Sequence, residues 1–269
     1  MTATGRVFFD GTTSRPQLDH PECVAVAPDG AVWCGGERGQ IFRIEPDGSA
    51  MEQVATTDGF VLGIAFGPQG ELYACDLRHH AVFRLPAGAR EPEPFVTGIE
   101  TPNFPCVAPD GSVWVTDSGS AEEPTGTIHR YGPDGVGGVW APGPFHFANG
   151  LALVGSELFV VETFASRVSA VTIGPDGAAG AVREVARLAP STLPDGIALG
   201  PDGALYVGCY EPSRVLRVDL ATGEATTWLD DPTAHLLCHP TNLAWRGDQL
   251  FTANLGRWHV TLVEGSPTA

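Results

Sequence analysis

The sequence has few charged residues and no long apolar run. Asp, Glu, Lys and Arg together make up 17% of the 269 residues, which argues against a disordered chain or a long charged helix. No stretch of 18 apolar residues occurs, so no membrane-spanning helix is predicted. The first residues also lack the basic patch and apolar stretch of a secretory signal. We therefore expect a cytoplasmic protein without a membrane partner.

Regular cysteine spacing and several well-known catalytic motifs are also missing. The six cysteines form no Cys-x-x-Cys pair. This pattern argues against a structural zinc site and predicts free thiols in a reducing compartment. The sequence contains no nucleophile elbow, Walker loop, Rossmann glycine fingerprint or His-Glu-x-x-His motif. Any catalytic site must therefore be built in another way.

Basic residues are scarce compared with acidic ones. Lys and Arg number 15, Asp and Glu number 32, and the formal net charge is −17. A surface this acidic repels phosphate backbones and anionic membranes. We therefore expect a small-molecule substrate and no nucleic-acid partner. The sequence leaves the oligomeric state open between a monomer and a weak homodimer.

Turn residues are abundant, and they recur at a regular interval. The chain contains 34 glycines and 23 prolines, which favours many short strands. A turn, most often Pro-Asp-Gly, followed by a short apolar segment ending in an aromatic residue, occurs six times. The six aromatic residues, 40 to 47 positions apart, are Trp33, Tyr73, Trp114, Phe159, Tyr206 and Phe251.

This repeat predicts the fold. Each unit begins with a β-hairpin, and a third and fourth strand follow in most units. Four short strands in 40 to 47 residues are typical of one β-propeller blade. We therefore predict an all-β, six-bladed propeller with four antiparallel strands per blade, forming a single domain over residues 1–269. Residues 6–9 form a spare strand, which we expect to complete the last blade beside residues 258–263.

The repeat also predicts which residues meet at the centre. In a propeller the first strand of each blade lines the channel, so equivalent residues point at one axis. Alignment on the hairpin aromatics places these residues at the start of the six inner strands: Glu22, Leu62, Asn103, Asn149, Asp195 and Thr241. Taken singly, each polar member is as easily a turn or loop residue. However, the polar residues share one position in the aligned units, and the positions on either side are apolar. This pattern favours a common binding role.

The polar members of this column have the chemistry of a metal site. Glu22 and Asp195 supply carboxylates, and Asn103 and Asn149 supply amide carbonyls. Such oxygen ligands select Ca²⁺, Mg²⁺ or Mn²⁺ over metals that prefer sulfur. Without a cation the two carboxylates would repel each other. A bound cation would remove that repulsion and could polarise a substrate carbonyl.

A second column, three residues after each aromatic, is expected near the same mouth of the channel. It contains Gly36, Asp76, Asp117, Glu162, Cys209 and Asn254. Asp76 and Asp117 could either contact a ligand or bond backbone amides at the ends of their hairpins. Further residues are expected to form the pocket wall: the loop histidines His20, His146, His235 and His239, and Phe60, Phe104, Phe145 and Phe147.

Over essentially its whole length the sequence resembles the gluconolactonase/senescence-marker-protein (regucalcin) family, which includes luciferin-regenerating enzymes. The resemblance is carried by Glu22 in His-Pro-Glu-Cys, Asn149 in Phe-Ala-Asn-Gly-Leu and Asp195 in Pro-Asp-Gly-Ile-Ala. It implies a six-bladed propeller with one divalent cation held by Glu22, Asn149 and Asp195, and it gives Asp195 the role of general acid/base. Ca²⁺ is the first expectation, with Mg²⁺, Mn²⁺ or Zn²⁺ as alternatives.

The substrate part of the resemblance is weaker. Asn103 resembles the family's further Asn near metal and substrate. However, the Arg that sugar lactonases carry two residues earlier is Thr101 here, and Asn-Asp-Gly is replaced by Asn-Phe-Pro. These departures imply a more apolar pocket than an aldonolactone needs. The expected substrate contacts are Asn103, Phe104, Asp117, Glu122 and His146, and Glu123 could take the place of Glu122.

Together these features predict a metal-dependent hydrolase of a lactone or related cyclic ester. Two alternatives stay open. One is an isomerase, cyclase or lyase that uses the same cation to stabilise an enolate-like intermediate. The other is a propeller without catalytic activity that binds a small molecule, a protein or calcium.

Overall fold

The computed structural model describes residues 3–265 and consists almost entirely of β-strands. Six antiparallel sheets of four strands each form the blades of a propeller, which confirms the predicted fold class. Two 3-10 turns, Thr163–Ala165 and Leu255–Arg257, also occur within these residues. No helix in this part of the chain has the length and apolar character needed to span a bilayer. The predicted domain, 1–269, includes residues 1–2 and 266–269, which lie outside the described residues.

The strands are numbered in chain order, and β1 (Thr4–Asp10) belongs to the sixth blade. The first blade contains β2 (Val24–Val26), β3 (Val32–Gly35), β4 (Gln40–Ile44) and β5 (Met51–Thr56). The second contains β6 (Val61–Phe66), β7 (Leu72–Asp76), β8 (Ala81–Leu85) and β9 (Glu93–Thr97). The third contains β10 (Pro102–Val107), β11 (Val113–Asp117), β12 (Gly126–Tyr131) and β13 (Gly137–Phe145).

The remaining blades follow the same plan. The fourth contains β14 (Ala148–Val154), β15 (Glu157–Glu162), β16 (Arg167–Ile173) and β17 (Ala179–Arg187). The fifth contains β18 (Leu193–Leu199), β19 (Leu205–Glu211), β20 (Arg214–Val218) and β21 (Ala225–Asp230). The sixth contains β22 (Pro240–Arg246), β23 (Gln249–Asn254) and β24 (His259–Glu264), followed by β1 at its outer edge.

The N-terminal strand closes the ring. Strand β1 pairs with β24 in a register that joins Thr4 to Glu264 and Asp10 to His259, so the sheet order is β1-β24-β23-β22. This pairing confirms the prediction for residues 6–9, with a longer strand than expected. Because the last blade borrows a strand from the other end of the chain, the first and sixth blades cannot separate without breaking a sheet.

Apolar residues pack between the blades. Six buried clusters are formed, and each combines residues from two neighbouring blades. Five of the six repeat aromatics are at most 3% exposed, so the residue that defines the repeat is mainly a packing residue between blades. The cysteines fit the same pattern, since all six are free and four are fully buried.

Glycines allow the inner strands to approach closely around the axis. A Cβ on Gly150 would lie 2.8 Å from Gly196 Cα, and one on Gly196 would lie 2.6 Å from Asn242 Cα. Both glycines lie inside strands, and neither has a positive φ. The dipeptides Asn149-Gly150 and Asp195-Gly196 are therefore not turns. Their glycines are needed because no side chain fits between adjacent inner strands.

Because Phe8 lies on the strand that closes the ring, we expect its truncation to reduce the stability of the protein strongly. This side chain is 8% exposed and packs edge-on against Phe251 at 4.9 Å. We expect Phe8→Ala to lower the free energy of unfolding by about 3–5 kcal/mol, as for other buried aromatic truncations. Chemical denaturation measures this value. On the same strand, Val7→Ala serves as the control, because Val7 is 41% exposed and should cost under about 1 kcal/mol. Equal effects of the two substitutions would contradict a packed closing strand.

Candidate functional site

The predicted site residues lie where the inner strands depart from regular pairing. Glu22 lies two residues before the first inner strand, and the pairing of the third, fourth and fifth inner strands is interrupted at Asn103, Asn149 and Asp195. The interruptions span Pro102/Pro105, Ala148/Leu151 and Pro194/Ile197. Such irregularities re-aim side chains that regular alternation would place on a fixed face. Local departure from the strand therefore allows polar side chains from separate blades to turn toward one axis.

Glu22, Asn149 and Asp195 come together at this mouth. Burial raises the pKa of Glu22 well above its usual range, and the charge of Asp195 raises it further. Burial raises the pKa of Asp195 to about 7, against the opposing effect of the neighbouring Asn149 side chain. The two carboxylates therefore lie within electrostatic range of each other, although 173 residues separate them in the sequence. This is the convergence that the repeat predicts.

Several oxygens of this group have no hydrogen-bond partner. Glu22 Oε2 and Asn149 Oδ1 are buried and unpartnered. The Asn149 nitrogen donates to Thr163 Oγ1 at 3.3 Å, and Thr163 Oγ1 donates to Pro194 O at 2.8 Å. The amide is thus held with its oxygen free. Unpartnered buried oxygens destabilise a fold, and an oxygen-preferring divalent cation would satisfy them. The residues present therefore fit such a cation.

Asn242 is a further member that the repeat alignment missed. Its Oδ1 is buried and unpartnered, and its nitrogen donates to the backbone oxygen of Glu22 at 2.9 Å. The aligned residue in this blade, Thr241, is fully buried, and its hydroxyl donates to Ala253 O at 3.5 Å. Asn242 occupies the column in which three other units have glycine. The sequence feature that could have identified Asn242 is a large polar residue at a position where three other units have glycine.

Asn103 is held in the same way as Asn149. Its nitrogen donates to Ser118 Oγ at 3.0 Å, and Ser118 Oγ donates to Ala148 O in the next blade at 2.7 Å. In both blades an asparagine amide is bonded to a hydroxyl that continues to the adjacent inner strand. The repeated arrangement fixes two amides at the mouth and links the third, fourth and fifth blades.

The second polar column has a mainly structural role. Asp76, Asp117 and Glu162 each accept a hydrogen bond from the backbone N–H sixteen residues earlier, at 2.9–3.2 Å. Glu162 also pairs with Arg167 at 2.7 Å. These bonds tie the end of the second strand to the loop before the first strand. For Asp117, which also accepts N–H bonds from Glu100 and Gly119, the contacts favour the backbone role over substrate contact.

In five of the six blades, the residue that follows the second polar column either holds a site asparagine or lines a cavity at the mouth. We call these six positions the wall column: Glu37, Leu77, Ser118, Thr163, Tyr210 and Leu255. Ser118 and Thr163 hold the two asparagines, as described above. Glu37, Tyr210 and Leu255 line a cavity of about 330 Å³ together with His20, Phe60, His239 and Gly256. The column that forms the pocket is therefore one residue later than the sequence pattern indicated.

Tyr210 connects this cavity to the carboxylates. The charges of Glu22 and Asp195 add to burial in raising the pKa of its phenol. The cavity lies beside the carboxylates, since its lining residues His20 and His239 are two and three residues away from Glu22 and Asn242 in the chain. We call Glu22, Asn149, Asp195 and Asn242 the oxygen cluster and the 330 Å³ space the mouth cavity.

The other predicted pocket residues are spread over several environments. His146 Nε2 is buried without a partner, and its ring lies 5.8 Å from that of Phe164. Phe104 and Phe145 are buried in the cluster between the third and fourth blades. Glu122 is exposed in the loop after β11, where its backbone N–H donates to Ser120 Oγ at 3.1 Å. His235 lines a separate cavity of about 700 Å³ at the rim of the last blade.

An acidic group also lies at the edge of the mouth cavity. Ligand atoms of Asp19, His20 and Glu37 lie within 4.8 Å of one another. These atoms already have partners: Asp19 pairs with Arg38 at 2.8 Å, and His20 Nδ1 bonds Glu37 at 2.5 Å. Unlike the oxygen cluster, this group satisfies its own polar atoms.

The sequence profile of the SMP-30/gluconolactonase/LRE-like region matches residues 21–254. The chain belongs to this family. No curated protein sequence matches the chain significantly.

Similar solved structures show the same fold. A gluconolactonase from Xanthomonas campestris superposes with a TM-score of 0.79 at 21% identity, over 97% of this chain and 89% of the other. A luciferin-regenerating enzyme gives 0.76 at 16% identity, over 98% and 96%. Virginiamycin B lyase from Staphylococcus aureus gives 0.70 at 16% identity, over 98% and 99%. At these identities the similarity establishes the propeller and leaves the reaction to be argued from the site.

The raised pKa of Asp195 predicts a pH-dependent stability of the metal-free protein. The folded-state pKa of about 7 exceeds the ordinary value of 3.8, so the folded protein holds this proton more tightly than the unfolded chain. Its contribution to stability is complete below about pH 4 and is lost as the pH rises through 7. Relative to Asp195→Asn, wild-type protein should lose up to about 1.4 kcal/mol per pH unit in this window.

Denaturation of both proteins between pH 4 and 8, with a chelator present, measures this difference. Added Ca²⁺ should restore the wild type at pH 8 and have little effect on Asp195→Asn. The exposed carboxylate variant Glu91→Gln is the control and should follow the wild type. A constant difference between wild type and Asp195→Asn across the pH range would contradict the raised pKa.

Proposed function

We propose that the protein is a divalent-metal-dependent hydrolase of a lactone or a related cyclic ester. Family membership and the gluconolactonase-like propeller support a lactonase-type function. The observation that carries the finer proposal is the pair of buried, unpartnered oxygens, Glu22 Oε2 and Asn149 Oδ1, beside Asp195. The net charge of −17 supports a small-molecule substrate rather than a nucleic acid.

The oxygen cluster supplies the residues that would hold the cation. Glu22, Asn149 and Asp195 are the proposed ligands, and Asn242 offers one more carbonyl oxygen in the same group. When bound, a hard divalent cation such as Ca²⁺ supplies the positive charge that polarises a lactone carbonyl. Mg²⁺, Mn²⁺ and Zn²⁺ are alternatives for the same ligands. The chain's part is to hold these oxygens at one point and to leave them unpartnered.

Asp195 is the proposed general acid/base. Its carboxylate accepts a proton from the water whose oxygen attacks the carbonyl carbon. The ring C–O bond then breaks, and Asp195 returns the proton to the leaving alkoxide, which yields a hydroxy acid. Burial, opposed by the Asn149 side chain, raises its pKa to about 7. A neighbouring cation would lower that pKa and keep the carboxylate ready to act as a base.

Asn103 and His146 are the proposed substrate contacts nearest to this chemistry. The Asn103 nitrogen is engaged by Ser118, so its oxygen is the atom available to accept a bond from substrate. His146 Nε2 is unpartnered and can donate or accept according to its tautomer. Asn103 is buried and held by Ser118, whereas His146 is partly buried.

Substitution of Asp195 tests the proposed chemistry. Asp195→Asn should lower kcat/KM for a lactone by about 10²–10⁴-fold, the usual contribution of a positioned acid/base. The fold should remain intact, since the substitution removes a repulsive charge. Steady-state kinetics with circular dichroism measure both properties.

Asp76→Asn is the matched control, because Asp76 is a fully buried aspartate that bonds the backbone N–H groups of Phe60 and His79. It should reduce stability by about 1–3 kcal/mol and leave the turnover of folded protein nearly unchanged. Unaltered kcat/KM in Asp195→Asn would contradict the assignment.

A second candidate is a metal-dependent lyase or isomerase on the same residues. The unpartnered His146 Nε2 favours it, since this imidazole could serve as a second acid/base group. The virginiamycin B lyase structure shows only that this fold can carry an enzyme of that name.

Labelled water separates the two reactions. Hydrolysis of a lactone in H₂¹⁸O should place one ¹⁸O in the carboxylate product, because the attacking oxygen comes from solvent. Mass spectrometry of the product measures the incorporation, and a chelated sample gives the uncatalysed background. Turnover without ¹⁸O incorporation would favour the lyase or isomerase. No turnover of any lactone with any divalent cation would favour a binding protein without catalytic activity.

A further inference from the structure

The mouth cavity has a fixed aromatic wall. The rings of Tyr210 and His239 stack with centroids 4.4 Å apart and an interplanar angle of 20°. His239 Nδ1 lies 3.1 Å from Tyr210 O and 3.2 Å from Glu211 Oε1, and its backbone N–H donates to Ser213 Oγ at 3.2 Å. Both rings are thus held in place before any ligand binds. Phe60, from the second blade, lines the same cavity.

Several polar atoms of this cavity are already bonded within the protein. His20 Nδ1 and Glu37 are bonded to each other, and His239 Nδ1 is bonded to backbone. A ligand covered with hydroxyl groups would have to compete with these bonds to replace the ones it makes with water, and buried polar groups left unpaired weaken binding strongly. A planar apolar group has no hydrogen bonds to water to give up when it enters the cavity, and it gains contact with the stacked rings.

The cavity is also unsuited to anions. Among the described residues that line it, none is Arg, and the chain contains no Lys. The charged groups around it are carboxylates: Glu37 in the lining and Glu211 beside His239. Arg38, next to Glu37 in the chain, is paired with Asp19. An anionic lactone therefore meets repulsion here, whereas a neutral one does not.

We propose that Tyr210, His239 and Phe60 form a specificity subsite that binds the planar, apolar part of a neutral lactone next to the oxygen cluster. The proposal names the substrate class of the function proposed above and rests on it. It places a fused aromatic or alkyl substituent against the Tyr210–His239 stack, with the ester group toward Asp195. Polyhydroxylated and anionic lactones are poor substrates according to this arrangement.

Binding of a lactam tests the subsite independently of turnover. The probe is 3,4-dihydroquinolin-2-one, which keeps the planar bicyclic shape of dihydrocoumarin but does not hydrolyse. Isothermal titration calorimetry of Ca²⁺-loaded protein should show binding to wild type and at least tenfold weaker binding to Tyr210→Leu. Tyr210→Phe should stay within about threefold of wild type, because it keeps the ring. Phe60→Leu provides a second variant from another blade and should also weaken binding.

Tyr131→Leu is the matched control. Tyr131 also stacks on a histidine, His129, at 6.0 Å and 24°, but it does not line the mouth cavity. Lactam binding to folded Tyr131→Leu should equal that of wild type. In kinetics with dihydrocoumarin, Tyr210→Leu should raise KM about tenfold and change kcat little. Glucono-δ-lactone and a phosphorylated sugar lactone should have much lower kcat/KM than dihydrocoumarin.

The possible outcomes separate the subsite from the reaction. If the lactam binds through Tyr210 but no lactone is hydrolysed, the subsite stands and the proposed function fails. Absence of lactam binding to wild type would overturn the proposal, as would equal binding by wild type, Tyr210→Leu and Phe60→Leu. A preference for the sugar lactone would also overturn it.

Discussion

The site depends on repulsion between two carboxylates that the propeller brings together. Glu22 comes from the first blade and Asp195 from the fifth, and each becomes harder to ionise in the folded protein. The inner strands of the fourth, fifth and sixth blades approach one another so closely that only glycine fits between them. The closing pair of β1 and β24 prevents the ring from relaxing outward. The fold therefore concentrates electrostatic repulsion at one point, and a divalent cation bound there would relieve it.

Two adjacent columns of the repeat have different roles. One bonds the backbone of the loops, and the other contributes the pocket wall. The second polar column uses Asp76, Asp117 and Glu162 to bond backbone N–H groups sixteen residues earlier. These bonds fix the loops from which the inner strands begin. The wall column, one residue later, differs among the six units of this chain and contains acidic, aliphatic, hydroxyl and phenol side chains. Within this chain the strand starts are therefore built alike while the pocket wall differs from blade to blade.

The sequence predicted the architecture well because the relevant signals are local. Each turn, apolar segment and aromatic lies within one hairpin, and six copies in a row leave few alternatives to a propeller. Closure by the N-terminal strand was also predictable. The first residues form a strand without a blade of their own, and the last blade has one strand too few. The oxygen cluster was predictable in part, because Glu22, Asn149 and Asp195 share one alignment column.

The other residues of the site could not be predicted by counting positions along the sequence. Alternation along a strand assigns side chains to faces only while pairing is regular, and the inner strands are irregular at their starts. Asn242 was missed because it lies one position after the aligned column, and Tyr210 because it lies one position after the second column. Each error is a single residue, which is the size of a β-bulge.

Thr101 shows why family membership alone does not determine the substrate. The resemblance places an arginine at this position in sugar lactonases, whereas here the Thr101 N–H bonds Asp117 and its hydroxyl reaches Gly119 O at 3.5 Å. The residue is thus part of the loop scaffold and brings no positive charge to the mouth. The remaining carboxylates then act on both ends of the proposed reaction. They disfavour an anionic lactone on entering, and they repel the carboxylate that ring opening creates, so selectivity and product release would have the same electrostatic cause.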